Sequence, residues 1–134
     1  MGRNLVVGDI HGGFKALKEV IEKVKPTKDD YLIFLGDYVD GWSESADVVA
    51  YLIELKKEVT CIFLRGNHDD LASQWMLFGK SNDQWLNSGG LSTIESYHPY
   101  NQEEKEPHID FFNSLINYHI DENNRLFVHG GFSN

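Results

Sequence analysis

Cysteine is nearly absent from this 134-residue chain, and a single thiol, Cys61, excludes an internal disulfide. It lies inside the apolar run Val59-Thr60-Cys61-Ile62-Phe63-Leu64, where a buried small hydrophobe is its simplest role, and the lack of pairing points to a reducing compartment. Proline is sparse as well: three residues do not make a proline-rich linker, and no low-complexity tract or repeat divides the sequence. No apolar run is long enough to span a bilayer, and Met1-Gly2-Arg3-Asn4 leads into core-type residues without a signal-like stretch. The expectation is a cytoplasmic protein with no membrane partner. Basic residues are outnumbered, 12 against 21 acidic ones, and the net charge of −9 opposes general attraction to nucleic acid. A phosphate-bearing ligand would need cations supplied locally.

What is present is a core. A hydrophobic content of 41% over this length suits one compact domain over residues 1–134. Leu5-Val6-Val7 predicts a short buried strand ending in Gly8-Asp9-Ile10-His11-Gly12-Gly13. Phe14, Leu17, Val20, Ile21 and Val24 then recur at helical spacing, with Pro26 closing the helix. Tyr31 to Leu35 predicts a strand buried on both faces, ending in Gly36-Asp37-Tyr38-Val39-Asp40-Gly41. Ser43 is placed to cap a second helix, on which Ala46, Val49, Ala50 and Ile53 share a face. Val59 to Leu64 predicts a third strand, ending in Arg65-Gly66-Asn67-His68-Asp69-Asp70. Three strands alternating with two helices imply a parallel βαβαβ core, with all three polar turns on one edge of one sheet.

The second half is less regular. Leu71, Trp75 and Phe78 predict a short helix, Trp85 to Gly90 a loop, and Ser92 to Tyr97 a further helix. Tyr100 to Glu106 reads as a solvated loop, with Pro107 in the first turn of a helix carrying Ile109, Phe112, Leu115 and Ile116. Asn123-Asn124 reads as a turn, and Arg125 to Val128 as a strand ending in His129-Gly130-Gly131. His98, His108 and His119 fall in loop or helix settings that suit structural or surface roles. Trp75 and Trp85 read as core or hinge aromatics, because no basic patch accompanies them.

The chemistry lies at the strand ends. Asp9 and His11 can aim an oxygen and an imidazole nitrogen at one cation, Asp37 adds a carboxylate able to bridge two, and Asn67 and His129 offer further ligands. This set mixes oxygen and nitrogen without thiolate, which favours manganese, iron, zinc or magnesium. Two such ions about 3.5–4 Å apart can clamp a phosphate and lower the pKa of a bridging water, so the reaction class is phosphoester hydrolysis. Asp69 and Asp70 can either orient a ligand or cap the following helix.

Gly8-Asp9-Ile10-His11-Gly12, Gly36-Asp37-Tyr38-Val39-Asp40-Gly41, Leu64-Arg65-Gly66-Asn67-His68-Asp69 and Val128-His129-Gly130-Gly131, in this order, resemble the calcineurin-like metallophosphoesterases, and more closely their phosphoprotein phosphatase branch. Trp85-Leu86-Asn87-Ser88-Gly89-Gly90 with Thr93 and Ser96-Tyr97 is further similar to bacterial members, which include protein phosphatases and symmetrical diadenosine tetraphosphatases. The resemblance covers Val6 to Phe132. It implies an αββα sandwich with two divalent metal ions, manganese first among the candidates, and a metal-bridging water as nucleophile. Asp9 and His11 would hold the first ion, Asp37 would bridge, and Asn67 and His129 would hold the second. His68 would be the general acid, Asp40 the carboxylate that orients it, and Arg65 a phosphate-contacting arginine. Substrates would be a phosphorylated protein, a nucleotide or a small phosphoester.

Two departures bear on function. Gly41-Trp42 stands where the family runs on to Arg-Gly, which removes one phosphate-clamping guanidinium. The sequence also ends at Asn134, before the Gly-His motif that supplies the last ligand of the second metal and before the strands of the second sheet. The expectations are therefore an incomplete sandwich, self-association through the edge left open, and, as the alternative to a working phosphatase, a metal-binding remnant with little or no activity.

Overall fold

Residues 2–130 are described in the structure, a computed structural model. Three short parallel strands, β1 (Asn4–Val7), β2 (Tyr31–Phe34) and β3 (Thr60–Phe63), lie in the order β1-β2-β3. Val7 pairs with Phe34 and Phe34 with Phe63, so the strands end level and their following turns meet. The helices between them are α1 (Phe14–Val24) and α2 (Ser45–Leu55). The βαβαβ core and the helix over Phe14–Val24 are as the periodicity predicts.

Alternation along the strands sorts the two faces of the sheet. Leu32 and Phe34 point into the main core, with Leu5, Val7, Cys61 and Phe63 packed against it, beneath Leu17, Ile21, Val48, Val49 and Leu52 of α1 and α2. Aromatic rings of Tyr38, Phe63 and Phe111 meet edge to face with centroids 5.0 to 6.0 Å apart, the geometry their quadrupoles favour. Ile33 is buried on the opposite face, where it lines a cleft of about 190 Å³ with Asn4, Tyr31, His119, Ile120, Asp121 and Glu122. That face is met by an antiparallel hairpin of β4 (Tyr118–Ile120) and β5 (Leu126–Val128). Helices on one side of a parallel sheet and a second, smaller sheet on the other make the mixed α/β architecture expected for an incomplete sandwich.

Several local expectations are corrected. Ser43 does not cap α2; the helix starts at Ser45 with Glu44 as its flanking residue, because Ser45 is buried with its hydroxyl turned to the Asp40 amide. The region from Trp85 to Gly90 is helical rather than a loop. α4 (Asp83–Trp85) runs through a wide π-type turn at Leu86–Gly90 into α5 (Leu91–Ser96), with Gly89 at φ 112° marking the kink. The charged stretch after Tyr100 is helical too. α6 (Gln102–Asn113) begins at Asn101, whose side chain accepts from the Glu104 amide while Glu104 reaches back to the Asn101 amide, and Glu103 and Glu104 suit the positive end of the helix. Pro107 therefore sits in the second turn and not the first, and Phe111, absent from the predicted face, is buried with Phe112. His119 belongs to β4, a strand and not the loop or helix expected, because Tyr118-His119-Ile120 lacks the unbroken apolar run that marks β5. His108 is structural, as expected: it is buried, its Nδ1 lies 2.7 Å from the Tyr97 hydroxyl, and burial pushes its pKa down to about 4. The remaining helix, α3 (Asn67–Phe78), carries Leu71 and Trp75 inward but leaves Phe78 in solvent. Gly131 of the last motif lies outside the described residues.

Candidate metal centre

The turn after β2 is built around Asp37. Its backbone carbonyl accepts from the amides of both Ile10 and His11, at 3.1 and 2.9 Å, which ties the β1 turn to the β2 turn. Its side-chain Oδ1 accepts the His68 amide at 3.0 Å, which ties in the β3 turn. Asp69, the third residue of α3, accepts from the amides of Gly66, Asp37 and Tyr38 at 2.7 to 2.9 Å, so it caps its helix and holds the Asp37 turn at once. Both roles foreseen for an acidic residue here fall to Asp69, and burial pushes its pKa up to about 7 against the pull of those three donors. The close fit has a steric condition at Gly66: a Cβ there would overlap Asp37 Oδ1. Among the described residues, three of the five non-glycine residues with positive φ are His11, Asp37 and Asp40, so left-handed backbone, which costs energy outside glycine, concentrates where the candidate residues are.

Asp9, His11 and Asp37 present ligand atoms within 4.8 Å of one another. His11 Nδ1 donates to the Val39 carbonyl at 3.0 Å, leaving Nε2 3.4 Å from Asp9 Oδ2 and 3.7 Å from Asp37 Oδ2. His129, at the end of β5, repeats the device: Nδ1 donates to the Leu35 carbonyl at 2.9 Å, and Nε2 lies 3.2 Å from Asp37 Oδ2 and 3.2 Å from Asn67 Oδ1. Each imidazole is thus fixed in one tautomer by a backbone acceptor and turns its free nitrogen to the carboxylates, as metal-ligating histidines do. Burial alone would lower the His11 pKa, but the bond to Val39 and the charges of Asp37 and Asp9 raise it overall. The five residues singled out as ligands are brought together, with Asp37 in the middle.

Beside them is a second group. His68 Nδ1 lies 2.9 Å from Asp40 Oδ2, and its ring meets that of His11 edge-on with centroids 5.1 Å apart. Asp40 is fully enclosed, and sequence reasoning missed what encloses it. Trp85 Nε1 donates to Asp40 Oδ2 at 2.6 Å, the Thr93 hydroxyl donates to Oδ1, and the Asp40 amide is shared by the hydroxyls of Thr93 and Ser45. Trp85 and Thr93 lie 45 and 53 residues from Asp40 in the chain, beyond the reach of any local pattern. The kinked helix can approach only because residue 89 is glycine: a Cβ there would sit 2.7 Å from the Gly41 nitrogen.

Arg65 is turned elsewhere. Its Nη2 donates to the Leu115 carbonyl at 2.9 Å, Nη1 lies 3.4 Å from Asp70 Oδ1, and its buried Nε has no partner among the described residues. Trp42 follows the Asp37 turn, donates its amide to the His11 carbonyl and is 72% exposed. No helix among the described residues is long and apolar enough to cross a membrane.

Level parallel strands that deliver Asp, His, Asn and a paired His–Asp to one edge define a metallophosphoesterase fold, and the chain belongs to the calcineurin-like phosphoesterase family, whose model matches residues 2–134. Among curated proteins it is 30% identical over 132 residues to the PP2A-like serine/threonine-protein phosphatase PPG1 of Saccharomyces cerevisiae, covering 96% of this chain and 32% of that protein. It is 32% identical over 115 residues to serine/threonine-protein phosphatase 2 of Escherichia coli, covering 85% and 47%. Among solved structures, a serine/threonine phosphatase from Saccharomyces cerevisiae superposes with a TM-score of 0.68 at 23% identity, covering 99% of this chain and 42% of that one. A protein assigned as a diadenosine tetraphosphatase superposes at 0.66 and 22%, covering 96% and 50%. The chain spans less than half the length of these curated relatives.

Proposed function

We propose that the chain carries the metal-binding and proton-donating groups of a phosphoester hydrolase that uses two divalent cations. The observation that supports this most is the position of Asp37 Oδ2, 3.7 Å from His11 Nε2 and 3.2 Å from His129 Nε2, as expected of a carboxylate shared between two ions. The donor set of carboxylates, imidazoles and one amide, with no thiolate, fits manganese first, and iron, zinc or magnesium after it. Asp9 and His11 would hold one ion, Asn67 and His129 the other, and Asp37 both. When bound, the cations polarise the phosphoryl group and lower the pKa of the attacking water.

The chain's own residues do the rest. As water attacks phosphorus and the bond to the leaving oxygen breaks, His68 gives its Nε2 proton to that oxygen while Asp40 holds the ring through Nδ1. Arg65 is the candidate donor to a phosphoryl oxygen, and to reach it the guanidinium would exchange its bonds to the Leu115 carbonyl and Asp70 for the substrate. The substrate class is a phosphorylated protein, by likeness to the serine/threonine phosphatases, or a small phosphoester. A diadenosine polyphosphate is the alternative, by likeness of fold. A cytoplasmic setting belongs to the same reading.

The test is turnover of a chromogenic aryl phosphate with added manganese, for the chain and for Asp37→Asn, alongside calorimetric metal titration. Two equivalents of metal and a collapse of turnover in the variant are expected; equal rates would end the hydrolase reading. One observation favours a second reading. The compact set is Asp9, His11 and Asp37, which suffices for a single ion, so a titration that stops at one equivalent, with negligible turnover, would make this a metal-binding remnant. The same proposal includes self-association, supported by the exposure of Val6, Ile116, Tyr118, Ile120 and Leu126 around the hairpin. A clean monomer in sedimentation at high concentration would count against it.

A further inference from the structure

We infer that Trp85 and Thr93 are positioning residues for the proton-donating pair, acting through Asp40 and touching neither substrate nor metal. The inference rests on the hydrolase reading for its catalytic meaning and on the geometry for its physical content.

An indole N–H can only donate, so the 2.6 Å contact from Trp85 Nε1 fixes Asp40 Oδ2 as an acceptor. The Thr93 hydroxyl accepts the Asp40 amide at 2.9 Å, which leaves its own proton for Oδ1. With a donor already on each carboxylate oxygen, the negative charge is held on Asp40, and the polarity this favours at the remaining contact, His68 Nδ1 at 2.9 Å, is donation by Nδ1. Nε2 is then the nitrogen left to face a substrate. Trp85, Asp40 and Thr93 are buried, with 2% or less of each exposed, so water does not compete for these bonds. The clamp is held from behind as well. Ser92 accepts the Gly41 amide and donates to the Gly89 carbonyl, so the kinked helix grips the backbone of the turn whose side chain Trp85 and Thr93 grip.

A carboxylate held by two fixed donors cannot rotate about its χ2 angle without breaking both. The imidazole it carries is therefore aimed before substrate arrives, and this preorganisation helps a step only to the extent that the step needs the proton. A leaving group of low pKa departs without protonation, whereas an alkoxide does not. Loss of the clamp should therefore penalise alkyl esters selectively.

The experiment compares wild type with Trp85→Phe, which keeps the ring and removes the N–H, on an alkyl phosphate and on 2,4-dinitrophenyl phosphate with manganese. The expected result is a loss in kcat of about tenfold or more on the alkyl ester, with KM little changed and the dinitrophenyl rate within about twofold. Equal losses on both esters, or none on the alkyl ester, would overturn the inference. Thr93→Val and Thr93→Ser give a second arm that does not depend on how Phe packs at residue 85: valine should reproduce the selective loss, and serine should restore it. A separate readout uses metal-free protein. Long-range ¹H–¹⁵N correlation should show Nδ1 of His68 as the nitrogen that keeps its proton, with Nε2 the one that takes up and releases it, in wild type and in Thr93→Ser, and a mixture of the two arrangements in Trp85→Phe and Thr93→Val. A single unchanged tautomer in folded variants would overturn the inference even if the wild type turns over nothing, and that last outcome would by itself count only against the hydrolase reading.

Discussion

The parallel sheet and the hairpin both deliver candidate ligands at strand ends, yet they hold them by different means. In the sheet, Asp9, His11, Asp37 and Asn67 sit on turns laced to one another by the Asp37 carbonyl, the His68 amide and the three bonds to Asp69. In the hairpin, β4 and β5 pair only with each other among the described residues, Tyr118, Ile120 and Leu126 are about half exposed, and the turn is kept by Asp121 accepting from Asn123 and Arg125. His129 reaches the centre through its own bonds to Leu35 and Asn67. A two-stranded hairpin has little stability of its own, so one half of the centre is preformed and the other is docked.

This contrast can be broken most forcefully at the shared carboxylate. Asp37→Asn should lower turnover by about 10³-fold or more and reduce metal uptake at both positions, whereas His129→Ala should leave one equivalent bound, as calorimetry would register. Equal stoichiometry in the two variants would remove the distinction between preformed and docked halves. Next comes Gly66→Ala, whose Cβ would press on Asp37; we expect a loss of about 2–3 kcal/mol in urea unfolding, together with weakened metal binding.

A pH experiment probes the helical layer without touching the centre. Burial puts the native His108 pKa at about 4, against an ordinary value of 6.5. The unfolded chain therefore gains a proton at this residue as pH falls below 6.5, while the native chain does so only near 4. His108 should therefore contribute a fall of about 2–3 kcal/mol over that window, opposed by Asp69, whose raised pKa lets the native chain take up a proton first, and the difference between wild type and His108→Gln in urea titrations at pH 7 and 4.5 should isolate the His108 part. The smallest effect belongs to the hairpin turn. Arg125→Ala removes a half-exposed partner of Asp121 and should cost less than about 1 kcal/mol, while speeding amide exchange in β4 and β5 and leaving β2 unchanged.

These two regions also differ in how far they could be read from sequence. The helix over Phe14–Val24 and the strand ends at Asp9, Asp37 and Asn67 follow from patterns a few residues long, because apolar periodicity and an abrupt stop at glycine are local facts. α6 was legible in principle: Asn101 and Glu104 form a capping pair, but the charges between Gln102 and Glu106 read as a solvated loop. β4 carries a histidine between two half-exposed side chains and so lacks the apolar run by which β5, equally short, is legible. Trp85, Thr93 and Ser45 around Asp40 could not be inferred, since their role exists only once segments distant in the chain have packed together.

The bond from His129 to Leu35 also sets an order in time. It closes a stretch of 94 residues, against 31 for the bond from the His68 amide to Asp37. The longer closure costs about 1 kcal/mol more in chain entropy, and it must wait for the strands that it docks upon. The expected order of folding therefore gathers four of the five candidate ligands before the fifth. On this order, a cation present from the start of refolding would meet the nascent sheet first and the last imidazole afterwards, so manganese added at the start should speed the final phase of refolding more than manganese added late.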